Sequence, residues 1–179
     1  MTKTAKLYGG SLYDLAAEES LTEPVMEEMD SIRQIFRENP DYLVLLSEPS
    51  IPKTERVALL NKAFDGQIQP YLLNFLGILC ENGALREFGG CCDEFRSRYN
   101  ADHNIAEAVV SSAVALSESQ AEALKKRLED MSKKTIVLTQ KVDEGLLGGL
   151  RVELEGKQLD GTAQARLLSL RKKITEIIV

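Results

Sequence analysis

Apolar positions in the first hundred residues recur at helical spacing. Ala5, Tyr8, Leu12 and Leu15 share one stripe, and Val25, Met29, Ile32 and Phe36 form a second. The second stripe stops before Asn39-Pro40, where Asn39 suits an N-cap and Pro40 the first position of a short helix through DYLVLL. Beyond the breaker segment SEPSIP, Val57, Leu60 and Phe64 mark a fourth helix that Gly66 can close. A fifth helix, over 68–81, contains YLLNFLGILC and is apolar nearly all round, the pattern of a helix surrounded by others. Asn82-Gly83 stops it, and Leu85, Phe88, Cys92, Phe95 and Tyr99 make a sixth stripe. Six helices joined by short turns predict a helical bundle over residues 1–104. Gly9 and Gly10 interrupt the first stripe. Either they admit a closely packed neighbouring helix, or they are simply tolerated at about 1 kcal/mol each. Apolar surface left over would suit an incoming amphipathic helix laid in a groove; the plain alternative is that every stripe is used up inside.

Past residue 104 the period changes. IAEAVVSSAVAL, from Ile105, is rich in small and β-branched residues and predicts a strand. Ser117 and Gln120 stand at capping-box spacing before Ala121, Leu124, Leu128 and Met131, a helical stripe. TIVLTQKV (135–142) is β-rich again, and Leu150, Val152 and Leu154 alternate with Arg151, Glu153 and Glu155. Glu155-Gly156-Lys157 reads as a turn. Asp160 or Thr162 then caps a final helix carrying Leu167, Leu170, Ile174 and Ile177. The expected fold is therefore mostly α: a six-helix bundle followed by a small α/β domain, β-α-β-β-α, over residues 105–179.

Charge sharpens the division. Of the 179 residues, those up to 104 hold 10 Lys+Arg against 17 Asp+Glu, a net −7, whereas the remainder holds 12 against 11. An acidic first half argues against nucleic acid, whose binding relies on neutralised phosphates. No apolar run approaches the roughly 18 residues that cross a bilayer. The opening MTKTAKLYGGSLYDLA lacks the marks of a targeting segment, so direct membrane insertion and export are not expected. Cys80, Cys91 and Cys92 form neither a disulfide framework nor a C-x-x-C zinc pattern, and read as small apolar fillers.

Candidate chemistry is sparse. The segment GLLGGLRVELEGKQLDGTAQARL (145–167) invites comparison with a phosphate-binding loop. Such a loop must open a helix, so that backbone amides face the phosphate, whereas these glycines precede a strand and no Lys-Ser or Lys-Thr follows. His103 stands alone at the domain boundary. Carboxylates such as Glu27, Glu28 and Asp30 occupy wet helix faces, and Arg171-Lys172-Lys173 suits the C-terminal half of a helix. No catalytic residue, metal ligand or cofactor site is expected. The alternative kept open is a nucleotide-binding regulatory protein using the 145–161 glycines.

Four stretches carry a family resemblance over nearly the whole chain: AKLYGGSLYDLA, YLLNFLGILCENGALREF, VVSSAVALSESQ and VDEGLLGGLRVELEGKQLDGTAQARL. They resemble the delta subunit of F-type ATP synthase, the homologue of the mitochondrial oligomycin-sensitivity-conferring protein. The last stretch is the most specific, with Gly148 and Gly149, a strand, then Asp160, Gly161 and Thr162 before Arg166. The resemblance implies a non-catalytic stator component, one copy per complex, peripheral on the bacterial cytoplasmic side of the inner membrane. Its bundle would receive the N-terminal helix of an alpha subunit beside the first and fifth helices, through Leu7, Ser11, Leu15, Asn74 and Ile78. Its second domain would grip the b subunits of the peripheral stalk. Gly148, Gly149, Asp160, Gly161 and Arg166 would be mainly structural.

Overall fold

Thr2 opens the first helix: its hydroxyl oxygen accepts the Ala5 amide at 3.1 Å, filling one of the donors that a helix start leaves over. The computed structural model describes residues 2–146 and 148–161. The chain divides into two compact units, the first ending at Tyr99 and the second beginning at Asn100.

The first unit contains α1 (Lys3–Glu18), α2 (Thr22–Glu38), α3 (Pro40–Leu46), α4 (Lys53–Phe64), α5 (Pro70–Glu81), a 3-10 turn at Leu85–Glu87, and most of α6 (Phe88–Asp102). In α2 the expected stripe is the buried one: Val25, Met29, Ile32 and Phe36. Phe36 meets Phe88 edge-on at 5.6 Å and Phe64 at 6.4 Å between ring centres. Such pairs add directional attraction to the burial of their area. Arg56 is also buried; its Nη1 donates at 3.2 Å to the Leu46 carbonyl, one of the acceptors left over at the end of α3.

Three expectations need correction. In α1 the buried positions are Ala5, Gly9, Gly10, Leu12, Tyr13 and Ala16, so the stripe is turned relative to the predicted one and Leu15 lies outside it. Of the two glycines, Gly9 is the one that admits a close neighbour. A Cβ on Gly9 would stand 2.5 Å from the Cys91 backbone oxygen, and one on Gly90 would stand 2.8 Å from Ala5 Cβ. Helices α1 and α6 therefore approach more closely than side chains permit. Tyr13 against Phe95, edge-on at 5.2 Å, and Arg98 paired with Asp14 at 2.9 Å extend the same contact. Asn39 occupies the N-cap position of α3 without capping it. Its side-chain amide instead donates at 3.0 Å to the Ile35 carbonyl, closing the end of α2. Helix α5 is not surrounded: Leu72, Phe75, Leu76, Leu79 and Cys80 are buried, but Tyr71, Asn74 and Ile78 face solvent.

The second unit holds β1 (Ile105–Ser112), α7 (Glu118–Ser132), β2 (Thr135–Val142), β3 (Leu150–Leu154) and β4 (Lys157–Asp160). The strands lie in the order β2-β1-β3-β4, with β1 parallel to β2 and antiparallel to β3. Alternation in β1 buries Ala106, Ala108 and Val110, which join Leu128 of α7, Ile136 and Val152 in one apolar core. Both halves of the capping box at Ser117 and Gln120 form. Met131, expected on the inner stripe of α7, is exposed, because the helix has passed its last core contact at Leu128.

Strand β4 was not expected. Glu155 and Gly156, both at positive φ, make the tight turn that returns the chain antiparallel to β3. Asp160, one of the two expected caps beside Thr162, ends a strand opposite Arg151. The expected final helix, with Thr162 and Arg166, lies outside the described residues.

Two alanine substitutions separate packing from propensity. Gly9→Ala is expected to destabilise the first unit by about 1–3 kcal/mol, because backbone must move to admit the methyl group. Gly77→Ala, where a Cβ meets nothing within 4 Å, should stabilise by up to about 1 kcal/mol through helix propensity. Urea unfolding midpoints check both; equal effects of the two would refute the close-approach argument.

A candidate docking groove between the first and fifth helices

Because α1 turns Ala5, Gly9 and Tyr13 toward α6, its other face is left uncovered. Leu7, Ser11 and Leu15 recur there every four residues, one above another on a helix. On α5, Tyr71, Asn74, Phe75 and Ile78 share a face at i, i+3, i+4 and i+7. The two faces enclose a cleft of about 480 Å³ floored by Tyr8, Leu12 and Phe75. Tyr8 and Phe75 stack edge-on at 6.4 Å, and Asn82 donates to the Tyr8 hydroxyl at 3.2 Å, so the floor is tied to both helices.

The rim is apolar and open. Leu7 is 68% exposed, Ile78 47%, and Leu15 and Tyr71 37% each. None of the residues lining the cleft is charged. Ser11 donates to the Leu7 carbonyl at 2.9 Å, so its hydroxyl proton is used within α1, and Asn74 and Tyr71 supply the polar groups of the rim. Leucine and isoleucine side chains on adjoining helices thus form a grouped, exposed apolar surface. All five residues expected at a partner site, Leu7, Ser11, Leu15, Asn74 and Ile78, therefore line one cleft. Tyr8, Leu12, Tyr71 and Phe75 complete it and were not named; the helical spacing around Asn74 is the signal that finds Tyr71 and Phe75.

The signature glycines of the second unit play a backbone part. Gly148 has φ +134° and Gly149 φ +86°, both in the region that L side chains rarely adopt. They lead directly into β3. The Gly161 amide donates to the Leu150 carbonyl at 2.9 Å, and Asp160 Oδ2 lies 3.9 Å from Arg151 Nε. Among the described residues, neither the 148–149 nor the 155–156 glycine turn opens a helix, so the amide cradle of a nucleotide loop is not built there. Arg166 lies outside the described residues.

A model of the ATP synthase delta (OSCP) subunit family matches residues 4–174. The chain belongs to that family. It is 32% identical over 174 residues to the ATP synthase subunit delta of Lachnoclostridium phytofermentans, covering 97% of this chain and 96% of the relative. It is likewise 32% identical over 171 residues to that of Lactiplantibacillus plantarum, covering 95% and 94%. Among solved structures, a chain of the Toxoplasma gondii mitochondrial ATP synthase hexamer superposes with a TM-score of 0.76 over 97% of this chain and 98% of that one. At 15% identity that likeness speaks to the fold. Among the described residues no helix is long and apolar enough to cross a membrane.

The cysteines carry no reactive character. All three are buried and unpaired with one another. Burial, aided by Glu87, pushes the Cys91 thiol up to about 11, and burial pushes Cys92 up to about 12. Thiols held so high are nearly all protonated at neutral pH and poor nucleophiles.

Three outcomes follow from this geometry. In the folded chain a disulfide reagent at about pH 8 should leave the three thiols unlabelled until denaturant is added. Both folded-state values lie above the ordinary 9.0. Their contribution to stability is therefore complete below that pH and lost as pH rises through 11 and 12, where the unfolded chain ionises first. Unfolding midpoints rising in that alkaline window would contradict this. At the groove, Leu7→Asp and Ile78→Asp should each shift stability by no more than about 0.5 kcal/mol, as exposed sites do. A loss of several kcal/mol in thermal or urea unfolding would mean that they are core residues.

Proposed function

We propose that the chain is a non-catalytic stator component of F-type ATP synthase. In this reading the first unit sits on the catalytic head and receives the amphipathic N-terminal helix of an alpha subunit in the groove between α1 and α5. The second unit docks on the b subunits of the peripheral stalk. One copy serves each complex, on the cytoplasmic side of the bacterial inner membrane. The head is thereby held against rotor torque, so that proton flow turns the rotor relative to it.

The observation that carries the reading is the make-up of the groove, an uncharged apolar trough between two helices, in a chain of the delta (OSCP) family. A helix with apolar anchors at i, i+3 or i+4, and i+7 can lay its stripe into such a trough, displacing water from both surfaces. No charged residue lines the trough, which suits a clamp. Its task is slow release under load, set by how well a few anchors fill their sites and exclude water.

The test is a calorimetric titration of the full chain with a peptide bearing the N-terminal helix of its cognate alpha subunit. Binding is expected, weakened about tenfold or more (roughly 1.4 kcal/mol or more) by Leu7→Asp or by Ile78→Asp. Undiminished binding by the double variant would move the site elsewhere. Absence of binding to a folded chain would sink the reading.

A further inference from the structure

A second cleft in the first unit lies away from the α1–α5 groove, where α2, α3, the 3-10 turn and the start of α6 come together. Its apolar part is made by Phe36, Leu43 and Phe88, and its lining carries Arg33, Arg37 and Arg86 with no carboxylate. That is unexpected in a segment with 17 Asp+Glu against 10 Lys+Arg up to residue 104. Arg33 is paired with Asp93 at 2.7 Å. Among the described residues, neither Arg37 nor Arg86 has a carboxylate within ion-pair distance. Nearby acids are engaged otherwise: Glu38 accepts from Gln34 at 2.8 Å, and Glu87 accepts from the Thr2 hydroxyl at 2.6 Å. The negative end of α2 accounts for one cation in its last turn, Arg37, but not for Arg86 and Arg33 lining the same cleft.

We propose that this cleft is a second docking site, for a peptide segment of a partner protein that carries one apolar anchor flanked by Asp or Glu. Size decides against a cofactor: at about 220 Å³ the cleft is smaller than the roughly 300–1,000 Å³ of small-molecule sites. It accommodates one large side chain over Phe36 and Phe88. The guanidinium forks of Arg37 and Arg86 then meet the flanking carboxylates, the geometry in which arginine binds best. The site does not depend on what occupies the α1–α5 groove.

The experiment pans a randomised synthetic peptide library on the full chain and, in parallel, on the Arg37→Glu/Arg86→Glu variant. Both residues are exposed, and an amide spectrum establishes that the variant folds; Arg37→Gln/Arg86→Gln replaces it otherwise. Peptides specific to the unmodified chain should be enriched in Asp and Glu beside Leu or Phe, and should shift the amides of Leu43 and Gly89. Their Asn/Gln counterparts should bind about tenfold more weakly, and added salt should weaken the acidic ones. Recovery of the same peptides by both chains, absence of acidic enrichment, or shifts confined to Leu7 through Leu15 would overturn the proposal. So would retention on phosphatidylglycerol vesicles that the variant loses, if no peptide is recovered; the arginines would then belong to a lipid contact.

Discussion

The contact that orders the first unit is the approach of α1 to α6 at Gly9. With no side chain there, α1 lies against the Cys91 backbone, and Ala5 against Gly90 fixes the same spacing one turn earlier. A helix pressed so closely on one side has its rotation about its own axis decided. Tyr13 must go inward to Phe95, and Leu7, Ser11 and Leu15 must go outward. The groove between α1 and α5 is thus the reverse side of a glycine contact.

The same packing decides the place of the thiols. All three are buried as small fillers in the first unit, and Cys91 lends its backbone to the α1 contact. A few charged side chains form ion pairs between elements, such as Arg96 with Asp30 and Arg33 with Asp93, which tie α6 to α2 at partly exposed positions. Pairs of that kind are worth little individually. They help set which faces meet, while apolar burial supplies most of the stability.

How much of this was legible follows from particular residues. Helix α2 was read correctly because all its large inward residues lie on one stripe. Helix α1 was misread because periodicity counts large side chains, and the residues that pack most tightly there have none. Helix α5 looked buried all round because composition cannot tell apolar residues left exposed from those in the core. Strand β4, KQLD, carries no β-branched or aromatic residue and is held by its turn and by pairing with β3. The five groove residues were found through resemblance to a family, not through spacing. What spacing could not supply was the rotation of α1, which the glycines decide.

One property of the second unit bears on how the chain is made. Strand β1 is hydrogen-bonded along both of its edges, to β2 at Thr135 onward and to β3 at Leu150 onward. Both partners are synthesised after it. As the polypeptide leaves the ribosome, the helices up to Tyr99 already have their neighbours, whereas Ile105–Ser112 emerges with both edges unpaired. Non-local pairing of this kind is slow relative to helix formation. The nascent protein therefore passes through a stage in which the first unit can be folded while an apolar strand waits for its sheet, and it is there that chaperone protection would matter most.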